Sequence, residues 1–514
     1  FTAAGEDAPF DNPASLGEGT NWKDVLMDNG SIQDHQLSIS GGTEKHNYFV
    51  SANFFNNDGI MLETFHRRMS FRVNTDNKLS DRWSMGNSLA FSRTSRYDNG
   101  SGNRTFIHGA FTNIYQMLPT EPVYNPDGSF AGPTDTRLER RRNAASQILL
   151  PERENIQNRL LGNLYVNFEP IPGLTFRTSF STDLQARNTY FSEPPYREGL
   201  LEDLFSNVNR SSDDFTFWLW ENFATYEKSI GKHTFSVMAG TSAQSQQYKF
   251  LRASAEYESD AFTEVSNSAL VNISETRMNE ESLASIFGRV IYNYDDRYLL
   301  TANIRRDGSS KFGPNNKFGV FPSFSAGWRV SEEAFFNSEL FNDVKLRGGW
   351  GQVGSDAIGN FKYLAALNTG FNYPFGNQQG TSSLGAALEE LGNPNIQWET
   401  STEWNVGADL GLLENRLTFT ADYYEKTRTD MLLTLPLAGV SGLARTVDNV
   451  GELINKGLEL STNYRKVTGK FTYDLNVNLT TFSNEVVDID VLNEIVASTY
   501  SGSGAVALVR VGQP

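Results

Sequence analysis

The residues able to do chemistry in this chain are few and scattered. Its five histidines, His35, His46, His66, His108 and His233, form no HxxxH or HExxH pair. They therefore lack the spacing that puts two zinc ligands on one helix face, and they make no catalytic set. The stretch GTSAQSQ around Thr241 lacks the second glycine of a nucleophile elbow, and no G-x-G-x-x-G occurs. Cysteine is absent, which excludes disulfide scaffolds and thiolate metal sites. No enzyme is expected and no cofactor is required. The acidic pairs Asp213/Asp214 and Asp488/Asp490 read either as loop Ca²⁺ ligands, since that ion takes clustered oxygens, or as solvated charge.

Two groups of residues remain. Tyr115, Tyr124, Tyr196, Phe371, Tyr373 and Phe375 fall in long polar connections. Aromatics there stack on sugar rings or peptide side chains, or anchor a protein partner; the alternative is plain loop packing. Arg159, Arg177 and Arg289 are cations on alternating strand patterns.

The elements that must position these groups follow from the stretch Asp295–Gly351. A strand over 298–306 runs into a Gly/Ser/Asn/Pro turn, which Asp307-Gly308 is expected to start, and a second strand over 318–330 returns. On the second strand Phe318, Val320, Pro322, Phe324, Ala326 and Trp328 share one face. Lys317, Gly319, Phe321, Ser323, Ser325 and Gly327 share the other. One face suits lipid and the other suits water or packed polar groups, as in a membrane β-barrel. The same unit recurs. Strands are predicted at 33–42, 47–56, 67–78, 83–93, 155–169, 173–184, 213–228, 232–247, 280–294, 298–306, 318–330, 343–352, 400–411, 415–428, 455–466 and 470–482. A short helix is expected over Asn21–Leu26 in an otherwise irregular segment 1–32, and another helix over 331–342.

The connections alternate short and long. Short ones include 43–46, 79–82, 170–172, 229–231, 295–297, 412–414 and 467–469, with one longer, helical connection on the same side at 331–342. Long ones are 57–66, 94–154, 185–212, 248–279, 307–317, 353–399 and 429–454. Outer-membrane barrels pair short periplasmic turns with longer extracellular loops, whereas a soluble sandwich has no reason to sort loops by parity. The predicted class is therefore all-β, a transmembrane antiparallel barrel of which about sixteen strands are present. A Lys or Arg facing lipid at mid-membrane costs roughly 2–4 kcal/mol, so Arg159, Arg177 and Arg289 are assigned to the lumen. An unclosed sheet would leave two bare edges in hydrocarbon, so further strands are expected from the same protein or another chain.

Composition agrees. The chain has 514 residues, 39% hydrophobic and 12% aromatic, and a net charge of −17. Its pI is near 4.9 and its mean hydropathy is −0.44. Strong negative charge excludes nucleic acid as a natural partner. No run reaches the ~20 apolar residues of a membrane helix, which leaves a barrel open.

The run IRRDGSSKFGPNNKFGVFPSFSAGWRVSEEAFF (304–336) resembles a signature of SusC/RagA-type TonB-dependent outer-membrane transporters of Bacteroidetes. The stretches at 21–61, 345–361, 391–432 and 449–460 are similar to further family segments in the same order. The resemblance implies a barrel of about 22 strands closed by an N-terminal plug. It implies import of glycan oligosaccharides or oligopeptides, energised by TonB with ExbB and ExbD, under a SusD-like surface lipoprotein lid. On that reading residues 1–32 follow the plug and 33–514 are part of the barrel. No plug or TonB-binding segment appears, and RVGQP (510–514) is similar to the start of a family stretch that precedes the last strands. The alternative is a passive porin or a structural, adhesive outer-membrane barrel. The residues do not separate glycan from peptide.

Overall fold

The computed structural model describes residues 12, 17–97, 114–135, 141–259, 264–265, 272–374, 382–383, 385–443, 445–489, 494–500 and 504–513. Sixteen strands form one sheet in which each strand pairs with the next in sequence. They are β1 (Ser31–Gly42), β2 (His46–Asp58), β3 (Phe65–Lys78), β4 (Trp83–Tyr97), β5 (Glu152–Ile171), β6 (Leu174–Glu193), β7 (Ser206–Ile230) and β8 (His233–Tyr257). The series continues with β9 (Asn272–Tyr294), β10 (Tyr298–Ser309), β11 (Phe318–Arg329), β12 (Phe341–Ser355), β13 (Glu399–Leu412), β14 (Leu417–Thr429), β15 (Glu452–Thr468) and β16 (Phe471–Asp488). All sixteen expected strands are present, and short and long connections alternate except at 330–340, between β11 and β12, which lies on the short side yet outruns the long-side connections 59–64 and 310–317.

Register turns each strand's alternation into one apolar surface. Val50 stands opposite Val73, which stands opposite Leu89. Across the sheet Phe324 faces Trp350, and Trp350 faces Trp404. These side chains are exposed in the protein alone, Phe324 at 57% and Met69 at 60%, because lipid is their solvent. Near the short turns the same face carries an aromatic band. Trp83 stacks on Phe168 at 4.4 Å, Tyr298 stands opposite Trp328, and Tyr464 lies 5.9 Å from Tyr473. Phe318 to Trp328 spans about 33 Å along the strand at ~3.3 Å per residue, or ~25 Å of height at the usual tilt. That height equals the apolar belt of an outer-membrane barrel. Arg306, on the same face, lies 4.3 Å over the Phe318 ring, where its head can reach the interface.

Buried apolar clusters lie in the layer beyond the long-connection ends. Helix α1 (Trp22–Leu26) buries Trp22 and Leu26 against Ile114, Met117 and the 144–148 segment. A second cluster joins Phe312, Ile396 and Trp398, with Phe321 packed against it. Strands β7 and β8 have 25 residues each, far beyond the ~9–11 needed to cross a bilayer. Their excess rises as a paired stalk toward that layer, with Val208, Ala255 and Tyr257 packed together near its top.

Two expectations need correction. Residues 331–342 form no helix beyond a 3₁₀ turn at Val330–Glu332. Glu333 accepts from the Tyr298 hydroxyl (2.6 Å) and from Trp328 Nε1 (3.0 Å), and Ser338 Oγ accepts from the Leu340 and Phe341 amides. These local bonds satisfy the backbone in a folded turn instead of a helix. Asp307 and Gly308 lie inside β10, opposite Ser285 and Ala284. The turn comes after Ser309, because the long β9 offers pairing partners above the membrane. The connections between β12 and β13 and between β14 and β15 also hold structure of their own. Ala366–Asn368, Ala387–Leu391, Arg445–Asn449 and Leu432–Pro436 form a four-stranded sheet, with one parallel pairing across the two loops.

Candidate functional site

The polar face of the sheet and the loop layer above it hold the candidate residues. The register puts Arg159, Arg177 and Arg289 on the face opposite the apolar surface. Each has a partner. Arg159 donates from Nε and Nη2 to the two Asp183 oxygens at 2.9 and 2.8 Å, a bidentate fork. Arg177 lies 4.0 Å over the Tyr165 ring, whose hydroxyl donates to Asp76. Gly86, between them, is required: a Cβ there would sit 2.6 Å from both the Tyr165 hydroxyl and an Asp76 oxygen. Arg289 donates to Asn303 at 2.6 Å.

The same face carries ion pairs that sequence reasoning missed. Arg187 pairs with Asp213 at 3.2 Å, and Tyr248 donates to that carboxylate at 2.5 Å. Arg347 bridges Asp409 (3.2 Å) and Asp422 (2.6 Å) across three strands. Arg305 donates to Asp307 at 2.6 Å and to Ser285 Oγ at 2.7 Å. The signal that could have found them is charge alternating on one face of neighbouring strands, but pairing partners require the register. A cleft of about 620 Å³ opens on this wall between Phe223, Phe287 and Phe321, with Glu221, Arg289 and Arg305 at its sides.

In the loop layer Tyr196 belongs to a small hairpin, Tyr196–Glu198 with Leu201–Asp203, between β6 and β7. The Arg142 guanidinium stacks 3.7 Å over its ring. Glu198, 1% exposed, accepts from Arg142 Nε at 3.2 Å and from the Asn143 amide at 2.8 Å, and Arg142 also pairs with Glu193. Asn143 Nδ2 reaches the Val123 and Ala131 carbonyls at 2.9 Å. The hairpin is thereby fixed to the β4–β5 connection, and burial pushes the Tyr196 phenol above its usual range. Tyr124 packs on Phe130 at 5.1 Å within that connection and is half-exposed. Tyr115 stands out from the α1 cluster at 73% exposure. Phe371 and Tyr373 are exposed in the β12–β13 connection, and Phe375 lies outside the described residues. The aromatics therefore divide between two loop groups: Tyr196 packs under Arg142, while Tyr115, Phe371 and Tyr373 face outward.

The second loop group is also cross-linked. Glu390 accepts from Lys362 and lies 2.8 Å from Arg445, and these cations hold its carboxyl below the usual range. Asn449 bridges the Gln397 and Asp430 carbonyls at 2.9 Å, and Trp398 Nε1 donates to Lys317 O at 3.2 Å. In the first group Glu121 is 9% exposed, and burial raises its carboxyl to about 6. Thr20 Oγ donates to the Glu121 carbonyl at 2.8 Å.

The histidines do not converge. His46 meets Asn77 (3.1 Å) and His233 meets Tyr292 (2.9 Å) at separate short-turn ends. His66 lies against Phe55 and His35 is exposed on β1, while His108 falls outside the described residues. Asp213 and Asp214 are consecutive on β7 and so point to opposite faces, which unmakes them as a loop pair. Asp488 ends β16, and Asp490 lies outside the described residues.

The comparisons come to this geometry independently. The family described as "TonB dependent receptor-like, beta-barrel" matches residues 155–506. The TonB-dependent receptor P26 of Formosa agariphila is 30% identical over 518 aligned positions, covering 98% of this chain and 51% of that protein. The TonB-dependent receptor SusC of Bacteroides thetaiotaomicron is 28% identical over 513 positions, covering 93% of this chain and 49% of that protein. The structure of the RagAB peptide transporter superposes with a TM-score of 0.83 at 21% identity, over 97% of this chain and 55% of that one. The chain spans about half the length of the curated relatives it matches.

Proposed function

Because this chain belongs to the TonB-dependent receptor-like β-barrel family and is part of an outer-membrane barrel of a Gram-negative cell, we propose that its protein imports nutrient oligomers. The cargo is glycan oligosaccharide or oligopeptide, the energy is passed by TonB with ExbB and ExbD, and a SusD-like surface lipoprotein closes the mouth. The observation that carries this reading is the pairing of a charged inner wall, laced by ion pairs such as Arg159–Asp183 and Arg347–Asp422, with large, structured outer loops. A polar wall suits a water-filled or plugged interior. Rigid loops with outward Tyr115, Phe371 and Tyr373 suit a partner or ligand landing there.

The relatives support the class: SusC is a TonB-dependent receptor, and RagAB is a peptide importer with closed-closed and open-open states. Deleting the gene should abolish uptake of the cognate oligomer, and deleting TonB should have the same effect. Uptake that continues without TonB would turn the reading to a passive porin or an adhesive barrel.

A further inference from the structure

The first loop group is not built from its loops alone. Residues 17–30, which lead into β1 at Ser31, are part of it. Ser31 stands opposite Asp58, so this segment enters on the side of the long connections. It is held at three places. At its start the Thr20 amide donates to the Pro119 carbonyl at 2.7 Å, and Thr20 Oγ1 donates to the Glu121 carbonyl at 2.8 Å. In its middle Trp22 shares a buried cluster with Ala144, Ala145 and Ile148, and its Nε1 donates to the Leu118 carbonyl at 3.1 Å. At its end the Leu26 carbonyl accepts from the Leu62 amide at 2.9 Å, and the Asp28 amide donates to the Ile60 carbonyl at 2.8 Å. One residue joins that cluster to the Tyr196 hairpin. Asn143 Oδ1 accepts from the Ala145 amide at 3.0 Å, while the Asn143 amide donates to Glu198 at 2.8 Å. The Leu200 amide adds a bond to the Pro133 carbonyl at 2.8 Å. Trp22, Ala145, Asn143 and Glu198 are each 3% exposed or less. All of these contacts are internal to the layer, and further chain packed against it only adds to their burial. Buried, close-packed contacts of this kind switch between discrete arrangements and do not deform smoothly.

We propose that residues 17–30 are a strap that couples the chain ahead of β1 to the mouth. Seated, the strap holds the β4–β5 connection and, through Asn143, the Tyr196 hairpin. Unseated, it frees both. The coupling is reciprocal: whatever lands on the hairpin and fixes it strengthens the strap's seat, and a pull on the strap loosens the hairpin. The second loop group, built around Phe312, Ile396 and Trp398, shares no residue with the Trp22 cluster and stays outside the coupling. The inference rests on the import reading above and names a route by which the state of the mouth is passed along the chain.

Hydrogen exchange at a single pH is measured on the full-length protein, purified from outer membranes, for the parent and for Trp22→Ala, Gly19→Ala and Glu198→Ala. Trp22→Ala removes the side chain at the centre of the seat. Gly19 has φ +72°, and Gly19→Ala puts a Cβ 2.4 Å from the Pro119 carbonyl oxygen at the strap's start while the cluster stays whole. The expected result is that amides of 196–203 exchange about tenfold faster or more in both strap variants, together with those of 17–28 and 141–150. Amides of 387–398 and 445–449, in the second loop group, should keep the parent's rates. In Glu198→Ala the effect should run backwards, with amides of 17–28 also at least about tenfold faster. Acceleration confined to 17–28 in the strap variants overturns the proposal, as does a Glu198→Ala protein in which 17–28 keeps its protection. Equal acceleration of the second loop group overturns it too, because the layer would then be loosening as a whole. If Trp22→Ala does not assemble, Gly19→Ala carries the forward arm by itself. None of these failures touches the import reading, which stands or falls on TonB dependence of uptake.

Discussion

Replacing Glu198 should release the Tyr196 hairpin from the loop layer without loosening the barrel. Glu198 is 1% exposed and holds both the Arg142 guanidinium and the Asn143 amide. Removing one member of a buried ion pair costs about 3–5 kcal/mol, and an orphaned buried amide costs about 1–3 kcal/mol. Arg142 keeps Glu193 and its stack on Tyr196, so Glu198→Ala falls at the low end, about 3 kcal/mol. That raises the open population of the loop by a little over a hundredfold. Glu198→Gln retains an acceptor for the Asn143 amide and should cost about 1 kcal/mol less. Hydrogen exchange on the full-length protein reads this directly. Amides of 141–150 and 196–203 should exchange about a hundredfold faster in Glu198→Ala, with those of β5 to β8 in the membrane unchanged. Unchanged exchange in both loop segments refutes the clamp. Equal acceleration in the strands refutes its locality.

Further outcomes follow from the same geometry. Gly407→Val should break the Arg347–Asp409–Asp422 bridge, since a Cβ there collides with Asp422 Oδ1 and lies 3.1 Å from Arg347 Cζ. The folded barrel should then lose its gel-shift form at a lower temperature, and an unshifted transition would show that the wall absorbs the side chain. The Glu121 carboxyl, raised to about 6 from 4.5, binds its proton more tightly in the folded loop. The stability its burial allows is therefore fully present below the unfolded value and is lost as pH rises through about 6, by at most about 2 kcal/mol. Protection factors of amides 17–26, with the intrinsic base-catalysed rate divided out, should be lower at pH 8 than at pH 5, and Glu121→Gln should remove the difference; a change in protection that survives in the variant rules Glu121 out. Alanine at Tyr115, Phe371 and Tyr373 together should weaken uptake or lipoprotein docking several-fold while barrel assembly stays normal. Uptake at parental level in that triple variant would assign these rings to loop packing.

The barrel was legible because its signal is geometric and repeated. Period-two alternation from Phe318 to Trp328 and the parity of loop lengths both follow from having lipid on one side and water on the other. The features that eluded the sequence depend on contacts between distant segments. Arg347 meets Asp422 only once the pairing of β12, β13 and β14 is set. Asp307-Gly308 reads as a turn locally, yet the length of β9 draws it into a strand. Residues 331–342 carry helix-compatible Glu and Ala, but Tyr298 and Trp328 capture Glu333 first. Among the loop aromatics, sequence gave no way to tell Tyr196, packed beneath Arg142, from the outward Tyr373.

The central claim is active import, and accumulation against a gradient tests it most directly. Cells expressing the full-length protein are given a labelled cognate oligomer at low external concentration, and the periplasmic level is followed with TonB present and absent. The account predicts a periplasmic concentration well above the external one, falling to background without TonB or when the proton-motive force is collapsed. Simple equilibration to the external level, indifferent to TonB, would contradict it and leave a passive barrel.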